Sequence, residues 1–315
     1  MNFAPAHAPA RARVSVLGVG AMGQLHARVF AQLPAEFELA GVYDPCVETA
    51  REVGRKWSVP AFTEEAHAIA AADLVVIASP IEAHAGAARR VLARGRDLLV
   101  EKPVCATAAQ AFALARSVGR GQHLFVGHSE RFNPVVRAIH GLVRPTEVRT
   151  LRLRRTSAMV RGGREHCALV SLGVHDIDLV AHLTASPVAL REVVDEGEDR
   201  ADLVLASARG AIAWVHVDRS ASRRERTLEV ATSDALYFGD LLARTLTVQP
   251  HGARAAIACA LVDEEPLVAQ AHAIARALRG SGEIVATGVE GARALALVEQ
   301  ARARGSLRAQ VAVAS

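Results

Sequence analysis

The chain has 315 residues, 51% of them apolar, and a formal net charge of +4; at roughly 100–200 residues per domain it has material for two cores. Aromatic residues make up 4% and arginines are spread along the whole chain, which excludes a base-stacking or basic-stripe surface for nucleic acid. No apolar run reaches the roughly 18 residues that span a bilayer, and Met1–Arg13, rich in Ala, Pro and Arg, has no signal-peptide core and reads as a short lead-in.

From Val14 the pattern is strand, glycine turn, helix. Strands are expected at Val14–Leu17, Phe37–Tyr43, near Pro60, Leu74–Ala78, Asp97–Val100 and His123–Val126. Helices are expected between them, at Gln24–Leu33, Val47–Lys56, Ala83–Ala93 and from Ala108. Apolar strands alternating with helices mean βαβ units, hence an α/β Rossmann domain with a doubly wound parallel sheet. After Gly127 the rhythm changes. Val148–Thr156 alternates, a helix spans Val174–Leu183, and strands follow at Leu190–Val194, Leu203–Ala208, Ala211–Val217, Arg226–Val230 and Thr245–Val248. Strands without intervening helices predict an α+β domain with an open antiparallel sheet. Helices near Leu267–Leu278 and Gly291–Ala303 close the chain. Cys46, Cys105, Cys167 and Cys259 form no C-x-x-C pair, so neither a disulfide framework nor a zinc site is indicated and a cytoplasmic setting is expected.

Gly18-Val19-Gly20-Ala21-Met22-Gly23 follows a strand and opens a helix. In that context Gly18 serves a tight turn, Gly20 the approach of a pyrophosphate, and Gly23 the packing of helix on strand. Asp44 ends the next strand, 26 residues after Gly18. It suits both adenosine ribose hydroxyls and repels a 2′-phosphate, which favours NAD over NADP; it could also cap the following helix. Ser79, Pro80 and His84 end another strand at the same edge and are expected to wall the cofactor cleft, although His84 could be an ordinary first-turn residue. Glu101-Lys102-Pro103 ends a further strand where ligands of open α/β sheets bind. Lys102 is one of two lysines among 37 Lys and Arg residues, so its compact ammonium suggests a task a guanidinium cannot perform; a surface ion pair is the alternative.

Gly127–Pro134 joins the domains, and Arg131 and Asn133 offer donors to an anionic, hydroxyl-rich ligand or simply structure a linker. Arg154 and Arg161 are further candidates for meeting a diphosphate. His175 and Asp178 share a helical face, with His182 a turn beyond. His175 could take a hydroxyl proton while hydride leaves the same carbon, could join Asp178 and His182 on a metal, or could be a plain helix-start residue. The absence of a fourth ligand with sensible spacing disfavours the metal.

The glycine turn with Met22, His26-Ala27-Arg28, Ser79-Pro80 with His84, Glu101-Lys102-Pro103, and Gly173-Val174-His175-Asp176-Ile177-Asp178 together resemble the Gfo/Idh/MocA oxidoreductase family. The resemblance implies a Rossmann domain at 12–127, an α+β substrate and oligomerisation domain with a large, mostly antiparallel sheet at 128–285, and a C-terminal helix at 286–304 packing back on the first domain. It implies NAD as cofactor, no metal, catalytic roles for Lys102 and His175, a cofactor site including Glu101 and Lys102, and homodimers or homotetramers formed through the open sheet. Gly127–Pro134, His175–Asp178 and the stretch from Leu228 to Gly239-Asp240 resemble more narrowly the UDP-N-acetylglucosamine 3-dehydrogenase branch. That branch oxidises the sugar's C3 hydroxyl to a ketone for amino-sugar synthesis, in lipid A or surface polysaccharide. An inositol or other sugar dehydrogenase, or a non-catalytic NAD-sensing regulator, are the alternatives within the family. One position departs from the pattern: Ser171 stands where an Asp is often found four residues before the histidine. Ser171 is expected at the substrate with Lys102, Arg131, Asn133, His175 and Asp178, and Asp176 or Asp178 could compensate for the missing charge.

Overall fold

The computed structural model describes residues 11–158, 166–281 and 285–314; Arg161 lies outside them. The described residues divide into two compact units, one holding those up to His128 together with Leu267–Ala292, the other Ser129–Pro266 and the residues from Arg293.

The first unit alternates as expected: β1 (Ala12–Leu17), α1 (Ala21–Gln32), β2 (Phe37–Tyr43), α2 (Val47–Trp57), β3 (Ala61–Phe62), α3 (Glu65–Ala71), β4 (Leu74–Ile77), α4 (Ile81–Ala93), β5 (Asp97–Val100), α5 (Ala108–Arg116) and β6 (Leu124–Val126). All six strands are parallel, in the order β3-β2-β1-β4-β5-β6. The order reverses between β1 and β4, the point where an open sheet leaves a crevice at its carboxyl edge. Leu74, Val75, Val76 and Ile77 are all fully buried, as strands covered on both faces must be. β1 begins two residues before Val14, because Arg13 joins its backbone N–H and guanidinium to Asp73 (3.0 and 2.8 Å). α1 begins three residues before Gln24, so the end of the glycine turn is already helical. α3 was not anticipated: seven residues are too few for a 3.6-residue period to stand out.

The second unit begins with a 3₁₀ turn (Ser129–Phe132) and α6 (Pro134–Leu142), then β7 (Thr150–Ala158), a π turn (Leu169–Gly173) and α7 (Val174–Thr184). The strands β8 (Val188–Glu196), β9 (Arg200–Ser207), β10 (Ile212–Ala221), β11 (Glu225–Ala231), β12 (Ala235–Asp240), β13 (Thr245–Pro250) and β14 (Ile257–Cys259) follow. They form one eight-stranded sheet, β14-β13-β12-β11-β7-β10-β9-β8. Every neighbouring pair is antiparallel except β7 with β10. That pair is parallel because the chain leaves β7, passes through α7 and returns by the β8–β9 hairpin before pairing again. One face carries Leu151, Leu153, Leu205, Val215, Val217, Leu228 and Val230 into a core beneath α7. The other presents Arg152, Arg154, Trp214, Phe238 and Glu229.

The closing helices correct the expected boundaries. α8 (Pro266–Leu278) groups with the first unit, not with the sheet. His272 on it meets Glu36 at 2.7 Å and Arg279 just beyond meets the same carboxylate at 3.4 Å. α9 (Gly288–Ala314) is divided, its start grouping with the first unit and the residues from Arg293 with the second. Its start fits closely: a Cβ on Gly288 would lie 2.3 Å from a methyl of Leu124. Further on, Arg304 donates to the carbonyls of Leu190 and Arg191, at 3.4 Å each. No helix among the described residues is long and apolar enough to cross a membrane.

Candidate functional site

On the first unit the candidate residues gather at the carboxyl edge of β1, β2, β4 and β5. Gly18 has φ +84°, and a Cβ there would sit 2.6 Å from the backbone nitrogen of Ser79. A Cβ on Gly23 would lie 1.9 Å from the carbonyl oxygen of Gly18. Both positions therefore demand glycine for reasons internal to the fold. Gly20 does not: a Cβ there would meet nothing within 4 Å. Its open space, beside the exposed Ala21 and Met22, is what the approach of a ligand backbone or phosphate requires. Gly20 caps α1 without a side-chain hydrogen bond, and no acidic residue occupies the first turn. The N–H groups there and the positive end of the helix dipole suit an anion.

Asp44 closes this end. Its Oδ2 accepts from the Val19 N–H within the glycine turn and its Oδ1 from the Cys46 N–H, each at 2.9 Å. The carboxylate thus braces the turn and starts α2, and each oxygen retains lone-pair capacity for a ribose hydroxyl. These residues fit an adenine dinucleotide: a cradle for pyrophosphate and an acid for the ribose.

Lys102 and Pro103, joined by a cis peptide, follow β5. Lys102 is half-buried. Glu101 before it is buried, with Oε1 2.8 Å from Nε2 of the buried His26 and Oε2 accepting the Lys102 backbone N–H at 3.2 Å. Burial pushes the Glu101 carboxyl up, but the bond to His26 and the nearby Lys102 outweigh it and hold the group below the usual carboxylate range. Gly127 makes room for it; a Cβ there would lie 2.7 Å from Glu101 Oε1. Glu101 is therefore a buried brace. His84 is buried likewise: it is 2% exposed, with its two ring nitrogens 3.0 Å from the Pro103 carbonyl and 2.8 Å from the Ser79 carbonyl.

On the second unit His175 is half-buried in the first turn of α7. The π turn before it contains Ser171, whose hydroxyl donates to the Cys167 carbonyl at 3.0 Å, back-bonding along its own helix. His182 stacks on His140, with centroids 4.7 Å apart. Among the described residues no cluster of three or more His, Cys, Asp or Glu is arranged to hold a metal ion.

Three residues offered to a ligand by the sequence are engaged inside this unit. Arg131 and Asp178, each almost wholly buried, form a two-pronged pair at 2.7 and 2.5 Å. Asn133 caps α6, accepting from Val135 N–H and donating to the Leu241 carbonyl. Asp176 is not available to replace a missing Asp at 171, since its carboxylate receives Arg155 Nε at 3.0 Å and Nη2 at 2.8 Å. Arg155, 1% exposed, also donates to Glu130 at 3.1 Å, and Arg226 reaches that same oxygen at 2.6 Å. The two carboxylates hold the Arg155 guanidinium firmly protonated against its burial, and Arg155 with Arg226 holds Glu130 below its ordinary range against the same force. This cluster was missed in the sequence. Its one signal was parity, since Arg155 falls on the inward side of β7 with Leu151 and Leu153.

Comparison with known proteins agrees with this geometry. Residues 12–128 match the model of an oxidoreductase family with an NAD-binding Rossmann fold, Gfo/Idh/MocA. The chain is 28% identical over 307 residues to UDP-N-acetylglucosamine 3-dehydrogenase of Acidithiobacillus ferrooxidans, covering 92% of this chain and 96% of that protein. A solved structure of that enzyme superposes with a TM-score of 0.85 at 25% identity, over 93% of this chain and 97% of the other. An inositol 2-dehydrogenase of Rhizobium meliloti is 26% identical over 67% of this chain and 69% of its own. The fold also matches levoglucosan dehydrogenase in complex with NADH and levoglucosan, with a TM-score of 0.82 at 18% identity, over 95% of this chain and 97% of that one.

Removing Arg155 takes from the buried Asp176 the cation that holds it and leaves Glu130 with Arg226 alone, a change that costs about 3–5 kcal/mol. Arg155→Ala should lose stability on that scale in urea unfolding followed through Trp214 on β10. A loss below about 1 kcal/mol would show that the cluster does not hold the unit together.

Proposed function

Starting from a chain whose residues 12–128 form a Gfo/Idh/MocA domain of NAD-binding oxidoreductases, we propose that it transfers hydride between NAD and a secondary sugar hydroxyl, at C3 of UDP-N-acetylglucosamine. The observation that carries this reading is the likeness, along nearly the full length of both chains, to a UDP-N-acetylglucosamine 3-dehydrogenase. An inositol or related polyol is the second reading, favoured by the shorter match to an inositol 2-dehydrogenase.

NAD, when bound, accepts the hydride at the nicotinamide C4. The glycine turn holds the pyrophosphate and Asp44 the ribose. In this reading the Lys102 ammonium orients the reacting hydroxyl, and the His175 imidazole takes its proton as the carbon gives up hydride, leaving a ketone. Ser171 supplies no charge to stabilise the resulting imidazolium. The exposed face of the second sheet is the surface proposed for homo-oligomers. There Arg152 lies over the Trp214 ring at 5.5 Å and opposite Glu229, with Phe238 exposed alongside.

An assay of NADH formation over nucleotide sugars and inositols tests the substrate; turnover on free inositols alone would decide for the second reading. Lys102→Ala should lower turnover by about 10²–10⁴-fold while NAD still binds, and near-normal turnover would remove Lys102 from the reaction. Asp44→Ala should shrink the preference for NAD over NADP by about tenfold, the worth of one charge-assisted hydrogen bond; an unchanged ratio would place cofactor choice elsewhere. Trp214→Asp should shift the species seen by analytical ultracentrifugation toward monomer, and an unchanged sedimentation profile would take the sheet face out of assembly.

A further inference from the structure

The backbone is tied on both sides of Lys102. Its own N–H donates to the buried carboxylate of Glu101 at 3.2 Å. One residue on, the Pro103 carbonyl lies 3.0 Å from Nδ1 of His84, a side chain from the first turn of α4. The other ring nitrogen of His84 lies 2.8 Å from the carbonyl of Ser79, which follows β4. The imidazole therefore fills the gap between the loop ends of two adjacent parallel strands, at the edge where the dinucleotide cradle lies. It is 2% exposed, so it presents no surface to a ligand.

We propose that His84 is a positioning residue for Lys102, acting through an Nδ1–H bond to the carbonyl of Pro103. The inference rests on the reading of Lys102 as the group that orients the reacting hydroxyl. A carbonyl only accepts, so serving both carbonyls takes an N–H on each ring nitrogen, the cationic form. Burial outweighs the pull of the two carbonyls and of the Glu101 and Glu82 charges and lowers the imidazole's affinity for a second proton, so the ring is neutral with one N–H, which the proposal assigns to Nδ1. The bond that matters for Lys102 is the one from Nδ1. With the turn held by Glu101 before Lys102 and by His84 after it, the ammonium moves only by rotation within its own side chain. A displacement near 1 Å of such a group can cost on the order of 10²-fold in rate.

The two nitrogens can be tested apart. An asparagine amide takes the place of Nδ1 and a glutamine amide that of Nε2. In the full-length protein with NADH, His84→Ala and His84→Gln should lower kcat by about 10- to 100-fold, with the NADH dissociation constant changed by less than about threefold. His84→Asn should restore kcat to within about threefold of the native protein. A spectroscopic arm needs no substrate. The chain has two lysines, so lysine labelled with 13C at Cε gives two signals, assigned through Lys102→Arg; Lys56, near the Trp57 ring at 5.6 Å, is the internal control. His84→Gln should move the Lys102 signal and leave that of Lys56, and His84→Asn should leave both.

Equal rescue by Gln and Asn, native kcat in His84→Ala, or loss of NADH binding in step with kcat would overturn the proposal, the last by making His84 a wall of the cofactor cleft. If His84→Ala fails to fold, the Asn and Gln variants still decide. Native turnover in Lys102→Ala would instead defeat the reading of Lys102, and the lysine signals would still judge the clamp.

Discussion

The carboxylate of Glu101 is the constraint on which the first unit's site depends. It is ionised in the interior, where an unpaired charge would be prohibitive. His26 answers one oxygen and the Lys102 N–H the other. The absent side chain of Gly127 leaves the space it needs. Because His26 lies on the helix that opens with the glycine turn, this one pair ties the dinucleotide cradle to the strand end carrying Lys102. The geometry of cofactor binding and that of the candidate reacting group thus share a bond, and neither can drift without disturbing a buried charge.

The second unit solves a similar problem with more members. Arg131, Arg155 and Arg226 stand against Glu130, Asp176 and Asp178, three basic side chains against three acidic ones. The set joins the 3₁₀ turn, β7, β11 and α7, and so sets the first turn of α7, where His175 immediately precedes the engaged Asp176. Such a cluster adds little stability compared with a well-packed apolar core of the same volume. A slip of β7 by one residue would turn Arg155 outward and leave Asp176 without it, so the cluster penalises the wrong register.

The sequence was most legible where one rule governs each residue. In the first unit continuous apolar strands, ten-residue helices and a glycine turn in the right context gave every strand of the parallel sheet. In the second, the alternation that marks β7 and β10 could not reveal that they are parallel neighbours, since period two reports a strand's faces and not its partner. β12 went unread because only its alternate residues, Leu236 and Phe238, are strongly apolar and exposed, the reverse of the usual pattern.

By itself the sequence determined the two-part architecture, the dinucleotide cradle and the placing of Lys102 at a strand end. These follow from contacts within a few residues or from a repeated period. The hydrogen-bond partners of Arg131, Asn133, Asp178 and His84 were decided only by tertiary structure. A polar side chain looks the same in sequence whether it faces a ligand or a buried partner 47 residues away, as Arg131 faces Asp178. Burial makes the difference, because it is what forces each such group to find its partner within the fold.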